Sequence, residues 1–154
     1  MEEPVLNAHN KQEYPPMHTA EHLVSGAVGR MLGCGRPVTT HIERRKSKCD
    51  FRCDRNLTEE ETCAVEHAVN EAIAAGVDVT AELVSREEAA RSFDLGRLPD
   101  DAGGTVRIVR VGDVDACPCI GDHVANTREI PPVRIVSSDC TDGILRVRFK
   151  FDKA

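Results

Sequence analysis

Apolar residues recur at helical spacing between Met17 and Leu32, where Met17, Ala20, Leu23, Val24, Ala27, Val28, Met31 and Leu32 form one stripe. Gly26 and Gly29 lower the intrinsic propensity of that helix, which is accounted for by close packing against a sheet. Gly33-Cys34-Gly35-Arg36-Pro37 ends it. Residues 1–16 are polar, finish in Pro15-Pro16 and read as a tail. Val38 to Ile42 and Lys48 to Cys53 read as two strands joined by a basic turn.

A second helix opens at Thr58. Thr58 suits an N-cap, and Glu61 three residues on completes a capping box. Its apolar stripe is Cys63, Val65, Ala68, Val69, Ala72 and Ile73, it runs to about Ala75, and Gly76 stops it. Val77 to Val84 alternates as a strand with Val77, Val79, Ala81 and Leu83 on one face, and a short helix follows to Ser92. Leu95 to Gly104 is a loop rich in Gly, Pro and Asp. In the strand Thr105–Val111, apolar residues occupy both faces, with Arg107 and Arg110 at the margins, as expected of a strand buried on both sides. Arg134 to Ser138 and Ile144 to Phe151 form a hairpin across Asp142-Gly143. The class is α+β, helices packed on a mainly antiparallel or mixed sheet, with residues 17–154 expected to form a single domain.

Composition narrows the picture. Aromatic residues are 3 % of the 154 and Trp is absent, so the core rests on Val, Ile, Leu and Ala. No apolar run reaches membrane-spanning length, and Met-Glu-Glu-Pro does not begin a signal peptide; a cytoplasmic protein with no membrane partner is expected. Seven cysteines without a secretory framework are read as reduced thiols. Cys34, Cys63 and Cys140 are expected to be ordinary core or surface thiols, and the pair Cys49 and Cys53 core thiols rather than a second metal site. A net charge of −6 argues against nucleic-acid binding through bulk charge, and DNA is not expected as a partner. The dense basic run is Arg44-Arg45-Lys46-Ser47-Lys48, read either as a solvated turn or as a phosphate-contacting edge.

Two short stretches carry the chemistry. In His18-Thr19-Ala20-Glu21-His22 the histidines share one helix face, about 6 Å apart along the axis. In Cys117-Pro118-Cys119-Ile120-Gly121-Asp122-His123, Cys119 and His123 have the same four-residue spacing. Either pair alone is an ordinary pattern. Together His18, His22, Cys119 and His123 are ligand types that zinc prefers. Cys117 is the competing thiolate, with Cys119 preferred for its matching spacing. His-x-x-Glu-His also fits an inverted zinc-protease pattern, but that reading leaves Cys119 and His123 unexplained. The ordinary reading of Glu21 is an exposed helix residue; the functional one is a general base. His9, His41 and His67 are read as surface histidines.

The chain resembles the editing domain of alanyl-tRNA synthetases, including the free-standing alanyl-tRNA editing proteins, and is related to that of threonyl-tRNA synthetases. The resemblance runs through His18 to Leu23, Cys49-Asp50-Phe51, Leu57 to Glu60, Val69 to Ile73, Val106 to Val109, Cys119 to Val124 and Asn126 to Ile130. It implies hydrolysis of the ester joining serine or glycine to the tRNA specific for alanine, with zinc held at His18, His22, Cys119 and His123. It also implies a strand threonine that senses the serine hydroxyl, and Thr39 and Thr40 both lie in the matching region. tRNA is then the partner, with Arg44, Arg45, Lys46 and Lys48 as its expected contacts. Family catalytic and anticodon-facing parts, and any extra tRNA-binding domain, are expected to be absent.

Departures lie in the second stretch. The family usually has Cys-Gly-Gly-Thr-His, whereas Ile120 and Asp122 replace a Gly and the Thr here. Asp122 is a candidate to orient a ligand imidazole or act on water. Two other readings compete with the zinc-dependent trans-editing deacylase: a non-catalytic zinc-stabilised RNA-binding or interaction module, and a small metallohydrolase for another ester or amide.

Overall fold

The computed structural model describes residues 15–43, 45–92, 105–112, 115–118 and 123–152. The elements are α1 (Pro15–Leu32), β1 (Thr39–His41), β2 (Ser47–Arg52), α2 (Glu59–Ala75), β3 (Val79–Ser85), α3 (Arg86–Ser92), β4 (Thr105–Val111) and β5 (Asp115–Pro118). A 3-10 turn (Thr127–Glu129), β6 (Val133–Thr141) and β7 (Ile144–Phe151) complete the chain. The α+β class holds. The strands divide into two antiparallel sheets, ordered β1-β2-β7-β6 and β3-β4-β5.

The periodicities explain most of these elements. α1 begins with Pro15 and Pro16, tolerated because a first-turn residue needs no N–H for the helix ladder. Its residues Met17 to Val28 are all buried, polar ones included, because α1 contacts α2, β2, β4 and β5. The expected contact of Gly29 with a sheet is corrected: a Cβ there would lie 2.7 Å from the carbonyl oxygen of Gly35, so the glycine admits the following loop. α2 has the expected capping box, with Thr58 accepting from the Glu61 N–H and Glu61 accepting from the Thr58 N–H. It ends where Gly76 adopts a left-handed φ of 71°. Within its stripe Val65, Val69, Ala72 and Ile73 are buried, whereas Cys63 and Ala68 are exposed.

β2 and β7 send Cys49, Phe51, Leu145, Val147 and Phe149 into the core against the two long helices. Burial of each large apolar side chain contributes about 1.5–3 kcal/mol. β4 is covered on both faces, as its pattern implies: Val111 joins this core, while Val106 and Ile108 join a smaller cluster with Ala89 of α3. β3 is more exposed than its alternation suggests, and Leu83 is 71 % accessible. β5 and the 3-10 turn are additions to the sequence reading, and β6 extends to Thr141 rather than ending at Ser138. Among the described residues no helix is long and apolar enough to cross a membrane.

Candidate metal centre

α1 delivers His18 and His22, and the segment after β5 delivers His123. Their ligand-capable atoms lie within 4.8 Å of one another. The rings of His18 and His123 stack with centroids 4.0 Å apart, and His22 stands edge-on to both, at 5.2 Å from His18 and 4.4 Å from His123. His18 and His22 are 6 % and 2 % exposed. Two buried imidazoles packed against a third, half-buried one are a costly arrangement unless their lone pairs have work to do. The three donors could hold a metal ion, and imidazole is a ligand type that zinc prefers. Cys119, the fourth residue of the expected set, lies outside the described residues, as do Ile120, Asp122 and Arg44.

The anchoring of His123 comes from its own flank. Thr127 Oγ1 accepts from the Val77 N–H and donates to the Ala72 carbonyl, both at 2.8 Å. Asn126 caps the 3-10 turn and donates to the Gly76 carbonyl at 2.9 Å. The Thr127 N–H donates to Val77 and the Val79 N–H to Ala125. These bonds lock the segment to the end of α2 and the start of β3. The Asn126-Thr127 pair is thereby explained as a fastening for the histidine three residues earlier.

Each of two histidines has its inner nitrogen occupied. His123 Nδ1 lies 2.9 Å from Thr19 Oγ1, which also accepts from the Val124 N–H at 3.2 Å. A hydroxyl oxygen has two lone pairs, so Thr19 has room for both contacts, and with the proton on Nδ1 the lone pair of His123 is on Nε2. His22 Nδ1 lies 3.1 Å from Asp115 Oδ2. That approach lies outside hydrogen-bond geometry, and Oδ2 has no hydrogen-bond partner among the described residues. Asp115 is placed there by β5, opposite the fully buried Val111 of β4. Its Oδ1 receives Arg36 Nη1 at 2.6 Å. Burial pushes the Asp115 carboxyl up, but His22 and the Arg36 charge outweigh it and hold the group below its usual value.

Glu21 departs from its ordinary reading as an exposed helix residue: it is 4 % exposed. Tertiary packing overrides helix-surface expectation here because α1 is covered on nearly every side. Glu21 Oε2 accepts from Ser25 Oγ, and Arg36 Nη2 is 3.9 Å from the same oxygen. Its Oε1 is 3.9 Å from His22 Nε2. Ser25 Oγ also lies 3.6 Å from Cys49 Sγ. Burial first, then the charge of Glu21, raises the Cys49 thiol well above its ordinary value, so it is a neutral core thiol.

Of the two strand threonines, Thr39 is exposed and donates to Asp50 Oδ2 at 3.2 Å. Thr40 pairs across to Cys49 and therefore shares the helix-facing side of the sheet. Arg45 and Lys46 are exposed and Lys48 half-buried. His41 bonds Glu43 at 2.8 Å, away from the imidazole cluster. Asp115, Arg36 and Thr19 are the site residues that sequence reasoning missed. Asp115 and Arg36 carried no pattern, and Thr19 sat unremarked between the two histidines.

Comparison with known proteins adds an independent line. Residues 106–148 match the family described as threonyl and alanyl tRNA synthetase second additional domain. The chain is 36 % identical over 140 residues to an alanine–tRNA ligase of Coxiella burnetii, covering 89 % of this chain and 16 % of that protein. It is 33 % identical over 132 residues to one from Fervidobacterium nodosum, covering 84 % and 15 %. With one from Methanothrix thermoacetophila it shares 34 % over 146 residues, covering 89 % and 15 %. The chain thus spans about 15–16 % of the length of these relatives. Matched domain and relatives together make this chain a member of the alanyl-tRNA synthetase editing-domain family, which shares its second additional domain with threonyl-tRNA synthetases.

Proposed function

We propose that the protein is a zinc-dependent hydrolase that removes a wrongly attached amino acid from tRNA, with seryl or glycyl esters on the tRNA specific for alanine as substrates, acting in the cytoplasm. The observation that carries this reading is the cluster of His18, His22 and His123, two of them buried, in a chain related to alanine–tRNA ligases. These three residues, with Cys119, would hold the zinc. When bound, zinc supplies a Lewis acid that polarises the ester carbonyl or lowers the pKa of water.

The chain's own groups do the rest. An aminoacyl ester is already activated, so the demands are orientation and a proton acceptor. Asp115 lies against Nδ1 of His22 and Thr19 against Nδ1 of His123, so each ring has an orienting partner on that edge. Glu21 is the carboxylate beside the cluster and the candidate base, steadied by Ser25. Thr40 is the better-placed sensor of a serine hydroxyl, because Thr39 is committed to Asp50 on the opposite face. Asp122 remains the candidate that distinguishes this chain from its family.

A panel of tRNAs charged with serine, glycine, threonine or alanine, incubated with protein of measured metal content, tests the proposal. Release of serine or glycine from the alanine-specific tRNA, with alanine spared, is the expected result. Stoichiometric zinc with no turnover on any member would contradict it and favour the non-catalytic module.

A further inference from the structure

We propose that the face of the β1-β2-β7-β6 sheet turned away from α1 and α2 is a docking surface for the phosphodiester backbone of RNA. This rests on the reading of tRNA as substrate and goes beyond the basic turn read from the sequence. Since Cys49, Phe51, Leu145, Val147 and Phe149 point into the core, the alternate positions point outward. Those outward positions include Lys48 and Arg52 on β2, Arg146, Arg148 and Lys150 on β7, and Arg134 on β6. Asp50 and Asp139 are the carboxylates among them, in a chain whose net charge is −6.

The two carboxylates are already used. Asp50 holds Arg146 through two bonds of 2.8 Å, and Asp139 holds Arg148 at 2.8 Å. Among the described residues Lys48, Arg52, Arg134 and Lys150 have no carboxylate within ion-pair distance. Register makes the surplus costly. Lys48 sits directly across from Arg148, and Arg134 directly across from Lys150. Like charges in directly opposed positions destabilise a sheet. Lys48, Arg52, Arg134 and Lys150 give the fold no ion pair among the described residues, whereas a polyanion would neutralise them.

At the β1 edge the array meets a recess of about 240 Å³ lined by His41, Glu43, Lys46, Ser47, Lys48 and Arg148. Its turn is built rather than slack: Ser47 Oγ accepts from the Glu43 N–H at 3.0 Å and donates to the Glu43 carbonyl at 3.2 Å. The same edge leads back to the metal centre, because Arg36, three residues before β1, pairs with Asp115 beside His22. The cationic face thus ends at the strand edge from which the chain runs back, through Arg36, to the cluster.

The experiment measures binding of uncharged alanine-specific tRNA over a series of salt concentrations. It compares wild type, the variant Lys48→Gln/Arg52→Gln/Arg134→Gln/Lys150→Gln, and the off-face control Arg91→Gln/Arg110→Gln. The face variant should bind at least tenfold more weakly near 0.1 M salt, and its salt slope should fall by about 0.7–0.9 for each phosphate no longer neutralised. The control should keep both. If the fourfold variant fails to fold, Arg134→Gln/Lys150→Gln changes two exposed positions only and should give a proportionate loss. Equal binding by wild type and face variant, an equal loss in the control, or binding of anionic lipid vesicles with no binding of tRNA would overturn the proposal. Because the tRNA is uncharged, failure of the deacylation reaction leaves this result standing, and an active deacylase whose face variant binds tRNA normally sinks the docking surface alone.

Discussion

His22 Nδ1 lies 3.1 Å from Asp115 Oδ2, and Arg36 holds the other oxygen of that aspartate at 2.6 Å. The pair joins the long helix that opens the fold to a short strand most of the chain away. It sets a buried carboxylate against the Nδ1 edge of His22. Asp115→Ala should therefore lower zinc affinity by about 10–100-fold. Competition with a chromophoric chelator measures this, and wild-type affinity in a folded variant would remove Asp115 from the site.

Thr19 makes a comparable prediction for His123. Thr19→Val keeps the shape but strips the acceptor from both the Val124 N–H and His123 Nδ1. An unsatisfied buried donor costs about 1–3 kcal/mol, so the melting temperature should fall by several degrees. Zinc affinity should fall with it. Thr19→Ser should recover most of both in the same two assays.

Acid should weaken metal binding, because imidazole and thiolate ligands bind only when unprotonated. Zinc affinity should therefore decline steadily as pH is lowered. Isothermal titration between pH 8 and 5 reads this directly. A flat profile would separate the metal from the histidines.

The α2 cap supplies a pH dependence of its own. Arg55 first, then the Thr58 N–H, lower the Glu61 carboxyl from 4.5 to about 2. A depressed carboxyl contributes stability above its unfolded value that is lost as pH falls through the folded one. The stability gap between wild type and Glu61→Gln should thus be constant above pH 5 and close as pH falls from about 4.5 toward 2. Thermal melts of both proteins across that window check it.

What could be read from the chain follows from the range of the interactions involved. The α1 stripe, the capping box at Thr58 and Glu61, and the Asp142-Gly143 hairpin are local, and each is legible in a few consecutive residues. His18, His22 and His123 are legible because ligand chemistry restricts residue type, and the fold brings them together. Asp115 is not, because its partner His22 is reached only through β4–β5 pairing against α1. Glu21 misleads for the opposite reason: a charged residue on a helix is ordinarily solvated, but α1 is packed nearly all round. The cationic sheet face needs register, since Arg146, Arg148 and Lys150 alternate visibly on β7 while Lys48 and Arg134 join them only across strands. Thr39 and Thr40 need it too, and it sends them to opposite faces.

In the proposed function the histidine cluster holds a zinc ion that serves ester hydrolysis. Protein stripped with a chelator and titrated with zinc, assayed at each step for serine release from alanine-specific seryl-tRNA, tests it most directly. Activity should rise in proportion to bound zinc, reach its plateau at one ion per chain and be absent from His22→Ala at any concentration. Undiminished hydrolysis by the metal-free protein, or none at one zinc per chain, would contradict the account.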